Sequence, residues 1–159
     1  NPNLFRNQQL SSSLLIESRY FIPISKTNKQ HVFGFWAYGQ FLVSGKLPYL
    51  NLPAIGWDQN SRSGKGYIQG LFRGTNLMFF EGEYRFPITK NQMISGTVFT
   101  NVTTASNLDN NFKLFESIQP AIGVGLRVLL DKNTLTNIIV NFALGRESQT
   151  FYFNAGEGF

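Results

Sequence analysis

Polar and apolar residues alternate with a period of two through seven separate stretches of this chain. Successive side chains on an extended strand point to opposite faces, whereas a helix needs apolar residues three and four apart. Ser12 to Ile24 places Leu14, Ile16, Tyr20 and Ile22 on one face, with Glu17 and Arg19 on the other. His31 to Ser44 sets Phe33, Phe35, Ala37, Phe41 and Val43 against Trp36, Tyr38 and Gln40, and Thr75 to Ile88 sets Met78, Phe80, Tyr84 and Phe86 against Glu81, Glu83 and Arg85. Met93 to Thr103 is a fourth strand. Ile118 to Leu130 carries Ile122, Val124, Leu126 and Val128, and Thr134 to Gly145 carries Ile138, Val140, Phe142 and Leu144. In the last segment, Thr150 to Phe159, an aromatic face of Phe151, Phe153, Ala155 and Phe159 backs onto Tyr152, Asn154, Gly156 and Gly158. The fold class is all-β.

Such an ending suits either the edge of a soluble sandwich or the closing strand of an outer-membrane barrel, and the rest of the chain separates them. Its 159 residues amount to one domain. Aromatic residues reach 15% while charged residues fall to 14%, against about 25% charged in an ordinary soluble domain. No run approaches the roughly 18 apolar residues of a membrane helix. The connections after Ile24, Ile88 and Leu130 are tight, and those after Ser44 and Thr103 are long. Short turns at one end and long loops at the other are the asymmetry of a transmembrane barrel. The short connection near Ser148 is the one exception. IESRYFIPI (Ile16 to Ile24) and FEGEYRFPI (Phe80 to Ile88) echo each other, each with proline where ladder pairing finishes. The expectation is an antiparallel transmembrane β-barrel with a long external loop at 45–74.

The same residues remove several functions. Without cysteine there is neither a disulfide framework nor a thiolate metal site. The net charge of +5 is scattered rather than gathered into a basic run, which argues against nucleic acid as a partner. His31 is the single histidine, so no histidine-based triad or multi-histidine metal site can be built. Glu81 and Glu83 share a face, yet Arg85 beside them marks an ion-paired lining rather than a general acid. No Gly-x-Ser-x-Gly elbow is present. The expectation is a chain that is not an enzyme and uses no metal or cofactor. No signal peptide stands at Asn1, so an export signal would be removed or lie upstream.

GKGYIQGLFRG (Gly64 to Gly74), NLMFFEGEYRFPI (Asn76 to Ile88) and the terminal FYFNAGEGF occur in that order. Together they resemble the bacterial surface antigen family: the barrel of BamA-type outer-membrane insertases and their TamA-like and two-partner-secretion relatives. The resemblance runs from about Ser12 to Phe159. It implies a sixteen-stranded barrel preceded by periplasmic repeat domains. With seven strands and no such repeat, this chain would be the C-terminal part. Upstream strands or another chain would have to complete it, because unpaired edges in lipid cost several kcal/mol per backbone group.

In that family a loop tip folds into the lumen, and its arginine meets acidic residues on the inner wall. The matching positions here are Gly64, Lys65, Gly66 and Tyr67, with Glu83 at the acidic position; Asn101 stands where a second acid is usual, and Thr103 where glycine is. Lysine is a point charge without arginine's fork. A Lys65–Glu83 contact is therefore expected and a two-carboxylate clamp is not. The alternative is an external Lys65 facing solvent or lipopolysaccharide phosphate.

The resemblance also makes the last strand, with Phe151, Phe153, Gly156 and Phe159, one side of a seam that opens toward a client. The implied function is insertion of outer-membrane proteins, or polypeptide translocation, in a Gram-negative outer membrane. Lipid and lipopolysaccharide, client proteins and assembly lipoproteins would be the partners. The rival is a structural or accessory barrel without insertase activity, which the Lys65 and Asn101 departures favour. A diffusion pore fits less well, since the loop plugs the lumen.

Overall fold

Side chains that alternate in this way satisfy their backbone groups only by pairing strands, and tight turns make each strand pair with its successor. In a computed structural model describing residues 10–26, 30–58, 61–106, 113–131 and 136–156, they form one antiparallel sheet of seven strands. The strands are β1 (Ser12–Pro23), β2 (Val32–Ser44), β3 (Asn76–Pro87), β4 (Ile94–Ala105), β5 (Ile118–Asp131), β6 (Thr136–Gly145) and β7 (Ser148–Ala155), neighbours in that order. β1 and β7 make no contact with each other, so the sheet is open and has two free edges.

The register turns the alternation of single strands into continuous rows. One row reads Ile22, Phe33, Tyr84, Val98, Val124, Phe142 and Phe151, each facing the next across the sheet. Ring centroids lie 4.9 Å apart for Phe33 and Tyr84 and 4.8 Å apart for Phe142 and Phe151. This face is uncovered: Phe151 is 76% exposed and Phe153 73%. Glu17, Arg19, Glu81, Glu83, Arg85 and Arg127 all fall on the other face, in rows such as Arg19, Trp36, Glu81, Asn101, Ala121 and Gly145. A one-residue slip would put these charges among the apolar rows, which is why the register is strongly specified.

The core lies between the charged face of the sheet and the 45–75 connection folded over it. Ile55, Tyr67 and Phe72 of that connection pack on Trp36, Tyr38, Leu77 and Phe79. Trp36 meets Phe79 edge to face at 5.1 Å, and Tyr67 meets Phe72 at 4.9 Å. Fully burying side chains of this size contributes roughly 1.5–3 kcal/mol each. The loop is thus the second layer that a half-apolar sheet face requires.

Several expectations change in detail. The fourth strand continues through Ala105, two residues past Thr103, where Leu77 faces Ala105 across the ladder. The last strand begins at Ser148 rather than Thr150, because Arg146 and Glu147 alone make the turn, Glu147 taking a φ of 56°. Ladder pairing ends at Ala155. Gly156 has a φ of 112° and donates its N–H to the Asn137 carbonyl at 2.8 Å, so it leaves the strand rather than extending it. Phe159, expected on the same aromatic face, lies outside the described residues, as do 27–29 and 132–135 in two of the tight turns. The long connection also contains one 3-10 turn, Tyr49–Asn51.

Candidate functional site: the docked loop tip

The long connection builds its own frame before it reaches the sheet. Ala54 and Arg73 form an isolated antiparallel bridge, flanked by Ile55 N–H to Phe72 O at 3.1 Å and Gly74 N–H to Pro53 O at 3.0 Å. The Asp58 carboxylate accepts the N–H groups of Arg62 and Ser63 at 3.0 and 2.8 Å, and the Ser63 hydroxyl accepts the Gly56 N–H at 2.8 Å. Short acidic and hydroxyl side chains satisfying nearby backbone donors are what hold such turns. The tip then closes with Tyr67 N–H to Gly64 O at 3.0 Å. Gly64 and Gly66 have φ of 77° and 103°, the left-handed region that residues with a Cβ resist.

This geometry lays the tip across β3 to β7. Lys65 is 3% exposed, so it is not a lysine facing solvent. Its Nζ lies 2.5 Å from Glu81 Oε1, 4.0 Å from Glu83 Oε2 and 4.7 Å from the centroid of the Phe99 ring. Glu83 is also paired with Arg85 and, at 3.4 Å, with Arg127. The expected contact with Glu83 is present, but Glu81 lies closer, and one expectation is corrected: the ammonium does have two carboxylates. Residues i and i+2 of one strand share a face, so β3 supplies both acids.

Asn101 takes a different part from the one expected. It faces Glu81 directly across the ladder, and its Nδ2 donates to the Lys65 carbonyl at 2.9 Å. An ionised acid has no proton to donate to a carbonyl. The amide therefore binds the backbone of the tip, while the charge of the tip is met on β3. Glu83 and Asn101 both belong to the site, but one pairs with cations of the sheet face and the other binds the main chain of the loop.

The far side of the tip rests on residues that sequence reasoning passed over. Tyr67 Oη donates to the Pro120 carbonyl at 2.5 Å and accepts the Arg146 N–H at 3.0 Å. Tyr152 Oη donates to the Tyr67 carbonyl at 2.6 Å and lies 3.3 Å from that of Gly64, and Gly66 N–H reaches Thr150 Oγ1 at 3.0 Å. Beneath Gly66 and Tyr67 the sheet offers Ala121 and Gly145. A Cβ built on Gly145 would stand 2.5 Å from the Tyr67 ring. The signal for this was available in β5, where Ala121, Gly123 and Gly125 alternate with Ile122, Val124 and Leu126. Small residues at every second position leave room for another layer. The exceptional short β6–β7 turn fits too, since its Arg146 N–H is satisfied by the tip.

Tyr152→Phe should loosen the tip without unfolding the sheet. The loss of its hydroxyl, which leaves the Tyr67 carbonyl without that donor, is expected to cost about 1–2 kcal/mol. Amide exchange at Tyr67 and Gly66 should quicken while exchange within β3 and β4 holds. Uniform acceleration across the sheet would contradict a local role.

Phe151 and Phe153 sit on the uncovered face of β7, away from the tip, and Gly156 follows the end of that strand. The structure therefore brings the loop motif together with Glu83 and Asn101 on the charged face of the sheet, and leaves Phe151 and Phe153 at a free edge. No family model matches this chain, and neither a curated protein nor a solved structure does.

Proposed function

We propose that this chain is the C-terminal part of a transmembrane β-barrel of the surface antigen family, in a Gram-negative outer membrane, where it serves insertion of other outer-membrane proteins or passage of a polypeptide. The observation that carries the reading is the docked GKGY tip, whose Lys65 meets Glu81 and Glu83 on the charged face while its main chain is bound by Asn101. The opposite face supports it, with seven apolar residues in one continuous row and the strand charges named above all turned away from it. In this reading that row meets lipid and the loop occupies the lumen.

The free edges of β1 and β7 need partners in a bilayer, where unsatisfied backbone groups find no water. Strands from an upstream segment or a second chain would complete the barrel at both. Ladder pairing of β7 ends at Ala155 and runs for eight residues, the shortest of the seven strands. A short terminal strand suits a seam that opens to a client strand. The tip binds Thr150 and Tyr152, so it would steady the loop end of that seam while the end near Gly156 opens.

Depleting the protein in its native cell should lower the amount of folded, heat-modifiable outer-membrane proteins. Unchanged levels would leave a structural or accessory barrel as the better description. Membrane orientation has its own check. Val124→Arg, central in the apolar row, should cost about 2–4 kcal/mol if that row faces hydrocarbon. Refolding yield in lipid vesicles reads this directly, and a yield equal to that of the unsubstituted protein would exclude lipid at Val124.

A further inference from the structure

The long loop holds a second basic centre that the docked tip does not use. The Arg73 guanidinium lies between two aromatic rings, 4.2 Å from the centroid of Trp57 and 4.8 Å from that of Tyr49. Its Nη1 donates to the Tyr49 carbonyl at 2.9 Å. Its Nε is buried and meets no acceptor, and no carboxylate of the described residues pairs with it. The two rings and the Tyr49 carbonyl hold the guanidinium in place without neutralising its charge, so it stands preorganised for an anion.

Beside it opens a cavity of about 410 Å³, with Lys46 and Arg73 as its charged residues and no acid in its lining. Leu42, Leu47, Leu52 and Leu71 form its apolar wall. The hydroxyl of Thr75, which also borders it, is engaged by Ser106 at 2.9 Å. The volume falls within the range of small-molecule sites. Two cations against an apolar wall select an anion attached to something apolar. Arginine's planar fork matches phosphate oxygens, and the flanking rings fix that fork before any ligand arrives, which lowers the ordering cost of binding.

We propose that this cavity is a phosphate site, in which Arg73 and Lys46 take the phosphate of a phosphorylated amphiphile whose apolar part lies along the leucine wall. The site stands on the geometry of the loop and not on the barrel reading. Phosphate could reach it free or as a lipid headgroup, and the two sources separate by affinity.

Trp57 stacks on Arg73 and reports occupancy by its fluorescence. The full chain in maltoside micelles would be titrated with inorganic phosphate, with dihexanoylphosphatidic acid and with hexyl glucoside. A saturable change with dihexanoylphosphatidic acid is expected, weakened about tenfold or more by Arg73→Gln, in keeping with the loss of a charge-assisted hydrogen bond. Lys46→Gln, at an exposed side chain, should weaken it by a smaller factor while leaving the loop folded, and Arg73→Lys should fall between Arg73→Gln and the unsubstituted chain. Tighter binding of dihexanoylphosphatidic acid than of inorganic phosphate would identify a lipid headgroup. Equal binding would overturn the apolar contact along the leucine wall and leave a site for the free anion alone. An equal response to hexyl glucoside, no saturable change with either phosphate, or unaltered affinity in both Arg73→Gln and Lys46→Gln would overturn the phosphate site.

Discussion

Gly66→Val should lift the loop tip off the sheet. Gly66 has a φ of 103°, and a Cβ built there stands 2.6 Å from the Ala121 Cβ, with the backbone of Leu144 and Gly145 just behind. Two penalties combine, a branched side chain in a left-handed conformation and an overpacked contact against a paired strand. Each costs about 1–3 kcal/mol. Docking of the tip joins Lys65, Tyr67, Asn101 and Tyr152 in one unit, so the tip should leave as a whole. Trypsin would then cut after Lys65, which the native fold buries. Gly70→Ala is the matched control: Gly70 also has a positive φ, of 77°, but its nearest neighbour across open space is an arginine tip 3.4 Å away. It should show only the conformational penalty of about 1–2 kcal/mol. Equal resistance of Lys65 to trypsin in Gly66→Val and in the native chain would show that the contact with Ala121 is not what seats the tip.

Lys65→Met should be the most destabilising change of a single charge. Glu81 is buried, and Lys65 is its one ion-pair partner among the described residues. Glu83 keeps Arg85 and Arg127. Removing one partner of a buried pair typically costs about 3–5 kcal/mol, because the other charge stays behind without compensation, whereas removing both is often close to neutral. The double variant Lys65→Met with Glu81→Gln should therefore recover most of the loss. Lys65→Arg should be tolerated, since a guanidinium can serve Glu81 and Glu83 together. Denaturation midpoints of the unsubstituted chain, Lys65→Met, Glu81→Gln and the double variant form the cycle that isolates the pair. A double variant no more stable than Lys65→Met would mean that Glu81 is not the charge Lys65 compensates.

Much of the sheet was legible because strand alternation is local. Each apolar face depends only on residues two apart, and all seven strands fall within a few residues of the stretches read from the sequence. The turn at 146–147 and the extra length of β4 were missed because both depend on neighbours: Gly145 pairs with Ser148, and Ala105 continues only because Leu77 lies opposite. The site was legible in part. The pattern points to Lys65, the acidic face of β3 and a Lys65–Glu83 contact, which is present at 4.0 Å, but not to the closer contact with Glu81 at 2.5 Å. Spacing along β3 puts both acids on one face and cannot say which of them lies under a loop that arrives from sixteen residues upstream. Asn101 was read as a missing acid. Only its position under the Lys65 carbonyl reveals that a donor is needed there. Tyr152, Thr150 and Gly145 come from strands more than seventy residues beyond the tip, and nothing local marks them.

By itself, then, the sequence determined an all-β chain of seven strands whose charges share one face, since period-two alternation is a property of consecutive residues and survives any arrangement of the sheet. What the tertiary structure decided is which residues meet across distance. It turned separate apolar faces into one continuous row, set Lys65 against Glu81, gave Asn101 a carbonyl to bind, and left Arg73 stacked between two rings with an N–H to spare. Those contacts depend on register and on the path of a long loop, which no pattern along the chain encodes.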